Sequence, residues 1–139
     1  MNDRSLESLA PNVREMCMHF IAACNKQNID VVITCTYRSK AAQDALYAQG
    51  RTLPGKIVTN ARGGESFHNY RVAFDFVPVK DGKARWDDVG LFTQCGIIAE
   101  SVGLEWAGRW SGKFKEMAHC QFTNGQTIKD FQTTFKDGL

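Results

Sequence analysis

Apolar residues near the start of the chain recur at intervals of three and four positions, which is the spacing of one face of an α-helix. The recurring positions are Leu6, Leu9, Val13, Met16, Phe20 and Cys24. This pattern predicts an amphipathic helix over residues 5–26. His19 lies beside the apolar stripe, so we interpret it as a surface or half-buried histidine and not as a metal ligand.

The next segments predict a strand followed by a helix. Residues 29–37 are rich in β-branched side chains, which is typical of a buried strand, and this strand ends beside Arg38. Ser39 is a suitable N-cap for a helix over residues 40–49, and Gly50 is a typical C-terminal stop. Arg38 is either a surface charge at a strand end or a guanidinium directed at a functional site.

Residues 51–65 show little periodicity and contain Pro54 and three glycines. This composition predicts a long ordered loop. Loops of this length in compact domains usually carry function, so we expect this one to form a wall of a cleft.

The second half of the chain predicts three strands and two helices. The strands cover residues 72–79, 104–106 and 118–122. One helix follows Asp88, and the other covers residues 126–135. Asp88 is the expected cap of the first of these helices, and Gly103 ends it. Trp106 is expected in the core. This order of elements indicates an α+β fold in a single domain.

Composition excludes several classes of protein. Of the 139 residues, 43% are hydrophobic and 23% are charged, which is ordinary for a globular domain that needs no disulfides. The net charge of +2 is too small to argue for a nucleic-acid partner. No apolar run resembles a signal peptide or a membrane span. We therefore expect a monomer that is made in the cytoplasm and does not insert into a membrane.

The five cysteines are odd in number, and no two form a C-x-x-C pair. We interpret them as reduced thiols in apolar surroundings. Cys120 follows His119 directly. Neighbouring residues of a strand point to opposite faces, so Cys120 should not share a metal with His119.

Four polar residues in two segments have the composition of a hydrolytic zinc site. His68 and Asp75 stand seven residues apart, and Glu116 precedes His119 by three. Two imidazoles and one carboxylate can hold the ion with one position open for water, and the remaining carboxylate can take the proton of that water. Two other interpretations stay open: Asp75 in a structural salt bridge, and the same three ligands holding non-haem iron.

The pattern Ser66-x-His68-x-x-x-x-Ala73-x-Asp75 with Glu116-x-x-His119 resembles the zinc carboxypeptidases and endopeptidases that cut peptidoglycan stem peptides. The chain is most similar in pattern to the small L-alanyl-D-glutamate endopeptidases of phage endolysins. Further matching blocks lie at residues 36–39, 43–52, 60–66 and 106–110. The resemblance implies a mostly antiparallel sheet with helices packed against it and a zinc cleft on the open face. Because the sequence shows no linker or second domain, we expect no separate wall-binding module.

The resemblance also implies roles for individual residues. His68, Asp75 and His119 would bind zinc, Glu116 would act as the general base, and Arg38 would stabilise the oxyanion or bind a substrate carboxylate. The expected partner is a peptidoglycan stem peptide, which the protein would reach after release from the cytoplasm. A D-alanyl-D-alanine carboxypeptidase is the alternative within the same family.

Further candidate contacts with substrate are Ser66, Arg71 and Trp110. Ser66 binds substrate or a ligand, or is a plain turn serine, and Trp110 belongs either to the core or to the groove. The family usually has glycine at position 71 and often an acidic residue at position 109, where this chain has arginines. Because Tyr70 and Val72 are strand formers, we expect an extended backbone at Arg71 with its guanidinium at the cleft rim. The departure at Arg71 also leaves open an inactive wall-binding protein.

Overall fold

An antiparallel sheet forms the centre of the computed structural model, which describes residues 2–136 and 139. The strands are β1 (Asp30–Cys35), β2 (Ala73–Lys80), β3 (Lys83–Ala84), β4 (Glu105–Trp106) and β5 (His119–Gln121). They pair in the order β1-β2-β5-β4, and β3 pairs with the end of β2. The helices are α1 (Pro11–Lys26), α2 (Lys40–Ala48), α3 (Val89–Ser101) and α4 (Ile128–Thr134). The predicted α+β class and the antiparallel sheet are confirmed.

The core lies on the face of the sheet that α1 and α3 cover. The ring of Phe20 from α1 is 5.8 Å from that of Phe74 and 5.0 Å from that of Phe76. Phe92 from α3 packs on Phe76 at 5.5 Å. Each fully buried aromatic ring contributes about 1.5–3 kcal/mol relative to an exposed one. Since side chains alternate along a strand, burying Phe74 and Phe76 here turns Asp75 to the opposite, open face.

The predicted first helix is wrong at its start. Residues Leu6–Ser8 form a short 3₁₀ helix, and α1 begins only at Pro11. Proline favours the first position of a helix, and it holds the preceding residue, Ala10, in an extended conformation with ψ of 144°. The apolar stripe continues through both helices, so periodicity alone did not reveal the break.

The predicted starts of two other helices agree with the structure. The Ser39 side chain accepts a hydrogen bond from the backbone N–H of Ala42, and that of Asp88 accepts one from Leu91. Both predicted caps are therefore confirmed. The closing helix is shorter than expected, because the cap residue Thr127 starts it at Ile128, two residues later than the pattern indicated.

Trp106 lies in the core, as predicted, with 4% of its surface exposed. Its ring lies so close to the backbones of Gly96 and Gly108 that a β-carbon at either glycine would overlap it. Its indole N–H donates to the carbonyl of Met117 at 2.8 Å. This packing fixes the turn that precedes β5.

All five cysteines are free and buried, as the sequence predicted. Burial raises the pKa of Cys17 to about 12, so this thiol keeps its proton. Cys120 belongs to the hydrophobic core and points away from His119, which confirms the expected alternation. Within the described part of the chain, no helix is both long enough and apolar enough to span a bilayer.

Candidate metal centre and cleft

Three elements bring His68, Asp75 and His119 together on the open face of the sheet. Asp75 on β2 pairs directly with His119 on β5, and His68 projects from the 3₁₀ helix Phe67–Tyr70 that precedes β2. Oδ1 of Asp75 lies 3.2 Å from Nε2 of His68 and 3.2 Å from Nδ1 of His119. The two imidazole rings meet edge to face at 5.1 Å. The fold thus brings the three predicted ligand side chains together, with Asp75 between the two histidines.

His68 is held by the backbone of the residue that follows β1. The residue is 3% exposed, and its Nδ1 lies 2.9 Å from the carbonyl oxygen of Thr36. A carbonyl can only accept a hydrogen bond, so Nδ1 carries a hydrogen and Nε2 is the nitrogen that faces Asp75 and would bind a metal ion. Ser66 caps the 3₁₀ helix by accepting from the N–H of His68 at 3.3 Å.

His119 is oriented in the complementary way. Its Nε2 lies 2.8 Å from Oε1 of Gln121, so Nδ1 is the nitrogen that faces Asp75. Metal-binding histidines typically donate their second ring N–H to such a partner. Two imidazole nitrogens and one carboxylate in contact are a donor set that fits a metal ion such as zinc.

Charge and burial make the His68–Asp75 pair interdependent in the metal-free protein. Burial acts to raise the pKa of Asp75, but its polar contacts with His119 and His68 hold this pKa well below its usual range. Burial likewise acts to lower the pKa of His68, but the hydrogen bond and charge of Asp75 raise it to about 10. A cation is therefore favoured at this position, whether it is a proton on His68 or a metal ion.

Glu116 reaches the same point from the cleft side. Its Oε2 lies 3.8 Å from Nδ1 of His119, and 65% of its side chain is exposed. A backbone hydrogen bond holds Glu116 in place, because its N–H donates to the carbonyl of Ala107 at 3.2 Å. Glu116 is thus close to the candidate metal centre while remaining accessible to water and substrate.

Arg38 lines the cleft beside His68. Nη1 donates to Oε1 of Gln43 at 3.0 Å, and Nη2 contacts the thiol of Cys35 at 3.4 Å. The amide of Gln43 in turn donates to the carbonyl of Ala61 at 2.9 Å. Gln43 is only 1% exposed, so it fixes both the guanidinium of Arg38 and the loop that forms the cleft wall.

The cleft has a volume of about 930 Å³ and runs over the candidate metal centre. Ile57 and Val58, from the irregular segment over residues 51–65, line the cleft, and each is 56% exposed. Trp110 and Phe114 also line the cleft, and the ring of Trp110 lies 6.0 Å from that of His119. The expectation that this loop lines a cleft is therefore met, and Trp110 belongs to the groove.

Sequence reasoning missed the polar residues that support the centre. Asn69 is 2% exposed; its Oδ1 accepts from the N–H of Gly64 at 2.9 Å, and its amide donates to the carbonyl of Arg38 at 2.8 Å. Cys35 also lies nearby, with Sγ 3.9 Å from Nδ1 of His68. Asn69 stands beside His68 in the sequence, but its hydrogen-bond partners are known only from the folded chain.

The prediction for Arg71 is wrong. Its φ is +66°, in the left-handed region, because it ends the 3₁₀ helix that carries His68. Its guanidinium does not lie at the cleft rim. It donates to the carbonyl of Ser8 at 2.9 Å and stacks 3.9 Å over the ring of Tyr37. The side chain therefore ties the N-terminal segment to the sheet.

The second departure, Arg109, pairs with an acidic residue on α3. Its guanidinium makes two hydrogen bonds to the carboxylate of Glu100, at 2.8 and 2.9 Å. This pair is partly exposed. It is separate from the contacts that hold His68, Asp75 and His119.

Comparison with known proteins agrees with this arrangement. The chain is 44% identical over 122 residues to the peptidoglycan L-alanyl-D-glutamate endopeptidase CwlK of Bacillus subtilis, covering 81% of this chain and 72% of that protein. The fold resembles the L-Ala D-Glu endopeptidase ChiX of Serratia marcescens, with a TM-score of 0.65, 18% identity, and coverage of 94% and 92% of the two chains.

A second solved structure with the same fold is the L,D-carboxypeptidase DacB of Streptococcus pneumoniae. Its TM-score is 0.59 at 20% identity, over 91% of this chain and 72% of that one. The family model described as VanY, D-alanyl-D-alanine carboxypeptidase, matches residues 6–119, which include all four polar residues of the candidate centre. The chain therefore belongs to the VanY D-alanyl-D-alanine carboxypeptidase family.

Proposed function

We propose that this protein is a zinc peptidase that hydrolyses the L-alanyl-D-glutamate bond of the peptidoglycan stem peptide. The observation that carries the proposal is the grouping of His68, Asp75 and His119 in an open cleft, with one ring nitrogen of each histidine facing Asp75. The choice of bond rests on the 44% identity to the endopeptidase of Bacillus subtilis.

Each residue of the centre has a chemical task in this proposal. His68, Asp75 and His119 hold the zinc ion, which when bound supplies Lewis-acid polarisation of the peptide carbonyl and a water of lowered pKa. Glu116 accepts a proton from the attacking water and later gives it to the leaving amine. Its exposed carboxylate, 3.8 Å from Nδ1 of His119, is free of competing ion pairs with Lys or Arg among the described residues.

Arg38 is the proposed electrostatic partner of the developing oxyanion. Its guanidinium is already oriented by Gln43, so it needs little rearrangement when negative charge forms on the substrate. It also offers a fork that matches a carboxylate, and stem peptides carry free carboxylates. Ser66, whose hydroxyl caps the helix of His68, and Trp110 complete the proposed cleft contacts.

A D-alanyl-D-alanine carboxypeptidase is the second candidate, and the description of the matching family model favours it. A protein that only binds the wall is a weaker candidate. The reason to consider it is the arginine at position 71. The side chain of Arg71 contacts Ser8 and Tyr37, away from the cleft, so it does not block substrate.

The test is mass spectrometry of the products from purified peptidoglycan digested with the zinc-loaded protein. Endopeptidase action should give peptides with a new amino-terminal glutamate and leave L-alanine on the glycan strand. Release of free D-alanine without new glutamate amines would identify a carboxypeptidase instead. Intact stem peptides would contradict both hydrolytic activities and support wall binding alone.

A further inference from the structure

A row of hydrogen-bonded side chains runs from the edge strand β4 to the candidate metal centre. Nε2 of His119 lies 2.8 Å from Oε1 of Gln121, and Nε2 of Gln121 lies 3.3 Å from Oε1 of Glu105. Gln121 is 3% exposed, and Glu105 is its direct partner across the β4–β5 pairing. Strand register therefore aligns the row, and burial shields its centre from water.

The direction of each hydrogen bond follows from the chemistry of Glu105. A carboxylate accepts hydrogen bonds and donates none, so the amide NH₂ of Gln121 must face Glu105. The amide oxygen of Gln121 must then face His119. An oxygen in that position accepts only from a protonated ring nitrogen, so Nε2 of His119 carries the hydrogen.

Glu105 is itself fixed by the turn that follows β5. Its Oε2 accepts from the backbone N–H of Thr123 at 3.0 Å and from the Thr123 hydroxyl at 3.2 Å. With both carboxylate oxygens engaged, Glu105 cannot turn away from Gln121 without losing several hydrogen bonds. The backbone of Thr123 thus determines the orientation of an amide that contacts the candidate metal centre.

We propose that Glu105 and Gln121 are positioning residues that select Nδ1 of His119 as its metal-binding nitrogen. A neutral imidazole has one N–H and one lone pair, so placing the hydrogen on Nε2 leaves the lone pair on Nδ1, 3.2 Å from Asp75. The inference rests on the proposed zinc function and concerns how the chain prepares that site. Neither residue needs to touch the ion.

The test compares zinc affinities measured by competition with a chromophoric chelator. Gln121→Met keeps a side chain of similar length but removes the acceptor for the ring N–H, and should weaken zinc binding about 10- to 100-fold. The double variant Glu105→Gln with Gln121→Glu exchanges the two groups. Its new glutamate still accepts from His119, and its new glutamine still donates to that glutamate, so affinity should return to within about threefold of wild type.

Glu100→Gln is the matched control, because it also converts a carboxylate to an amide but pairs with Arg109 outside the row. It should leave zinc affinity unchanged. In the zinc-loaded wild type and exchanged variant, nitrogen NMR of the histidines should show His119 bound through Nδ1 with Nε2 protonated. Gln121→Met should lose protection of that ring hydrogen from exchange with water.

The outcomes separate the positioning role from its alternatives. Wild-type zinc affinity in folded Gln121→Met would overturn the proposal, and a rise in KM alone would make Gln121 a substrate contact. An exchanged variant that binds zinc at least 10-fold more weakly than the wild type would also overturn it, and this comparison does not require Gln121→Met to fold. Failure of the wild type to bind zinc would instead contradict the proposed function.

Discussion

Asp75 and His119 lie directly opposite each other on neighbouring antiparallel strands, with Oδ1 of Asp75 3.2 Å from Nδ1 of His119. Strand pairing therefore joins two residues that are 44 positions apart in the chain. His68 lies on the other side of the same carboxylate, so three possible ligands for one ion lie side by side.

We expect one zinc ion per chain. Two nitrogen donors and one carboxylate around an open cleft suit zinc with a free coordination position. Elemental analysis of protein purified without added metal measures the content directly. Iron at full occupancy, or activity that survives complete removal of metal by a chelator, would contradict this expectation.

Glu116→Gln should keep the metal and lose nearly all turnover. The amide has almost the same shape as the carboxylate but cannot accept a proton, so the contribution of general-base catalysis, about 10²–10⁴-fold, should disappear. His119→Ala should instead lose the metal. Zinc content and kcat measured on both variants distinguish the two roles, and a near-wild-type rate for Glu116→Gln would mean that another group is the base.

The stability of the metal-free protein should depend on pH through the His68–Asp75 pair. The raised pKa of His68, about 10 when folded, means that the pair stabilises the fold fully below about pH 6.5, the usual unfolded value, and loses this effect as pH rises towards 10. The lowered pKa of Asp75 means that its contribution is present above about pH 4 and is lost as pH falls below that value.

The measurement is urea unfolding of chelator-treated wild type and Asp75→Asn at several pH values. The difference in their free energies of unfolding should be greatest between about pH 4 and 6.5 and should shrink steadily towards pH 10. A difference that stays constant from pH 6 to 10 would show that His68 is not charged by its contact with Asp75.

Arg38→Ala should affect the reaction far more than the fold. The change leaves Oε1 of Gln43 without its donor, but the Gln43 amide keeps its bond to Ala61, so we expect a cost of about 1 kcal/mol and a melting temperature within a few degrees. Loss of an oxyanion donor should lower kcat about 10²-fold or more. Arg38→Lys should restore little, since lysine lacks the planar fork. Activity that falls only in proportion to the folded fraction would make Arg38 a structural residue.

Much of this fold could be predicted because its signals are local. Ser39 and Asp88 cap helices through bonds to backbone three residues away, and the alternation around Asp75 needs only the period of a strand. The contacts of Gln43 and Gln121 could not be predicted in this way. Their partners, Ala61 and Glu105, come from other segments, and nothing in a glutamine's local sequence states which carbonyl or carboxylate it will meet.

Arg71 shows where two local signals conflict. Its neighbours Tyr70 and Val72 favour a strand, whereas the glycine usual in related sequences favours a left-handed residue. The backbone follows the second signal, because the 3₁₀ helix of His68 must end and reverse before β2 begins. The left-handed conformation costs a non-glycine residue about 1–2 kcal/mol. Contacts of the guanidinium with Ser8 and Tyr37 offset that cost.

Replacing Arg71 separates the backbone strain from the side-chain contacts. Arg71→Ala loses the bond to Ser8 and the stacking on Tyr37 but keeps the strain, so it should lower the free energy of unfolding by about 1–2 kcal/mol. Arg71→Gly loses the same contacts and is relieved of the strain. It should therefore be more stable than Arg71→Ala by about 1 kcal/mol and close to wild type. Urea unfolding of the three proteins gives the order.

Glu15, an exposed residue inside α1, provides the control. Its backbone is helical, so Glu15→Gly should be less stable than Glu15→Ala by about 1 kcal/mol, the reverse of the order at position 71. Because the Arg71 side chain lies away from the cleft, both Arg71 variants should keep wild-type zinc affinity and KM. An Arg71→Gly protein less stable than Arg71→Ala would show that position 71 carries no strain. A changed KM would show that the Arg71 side chain contacts substrate.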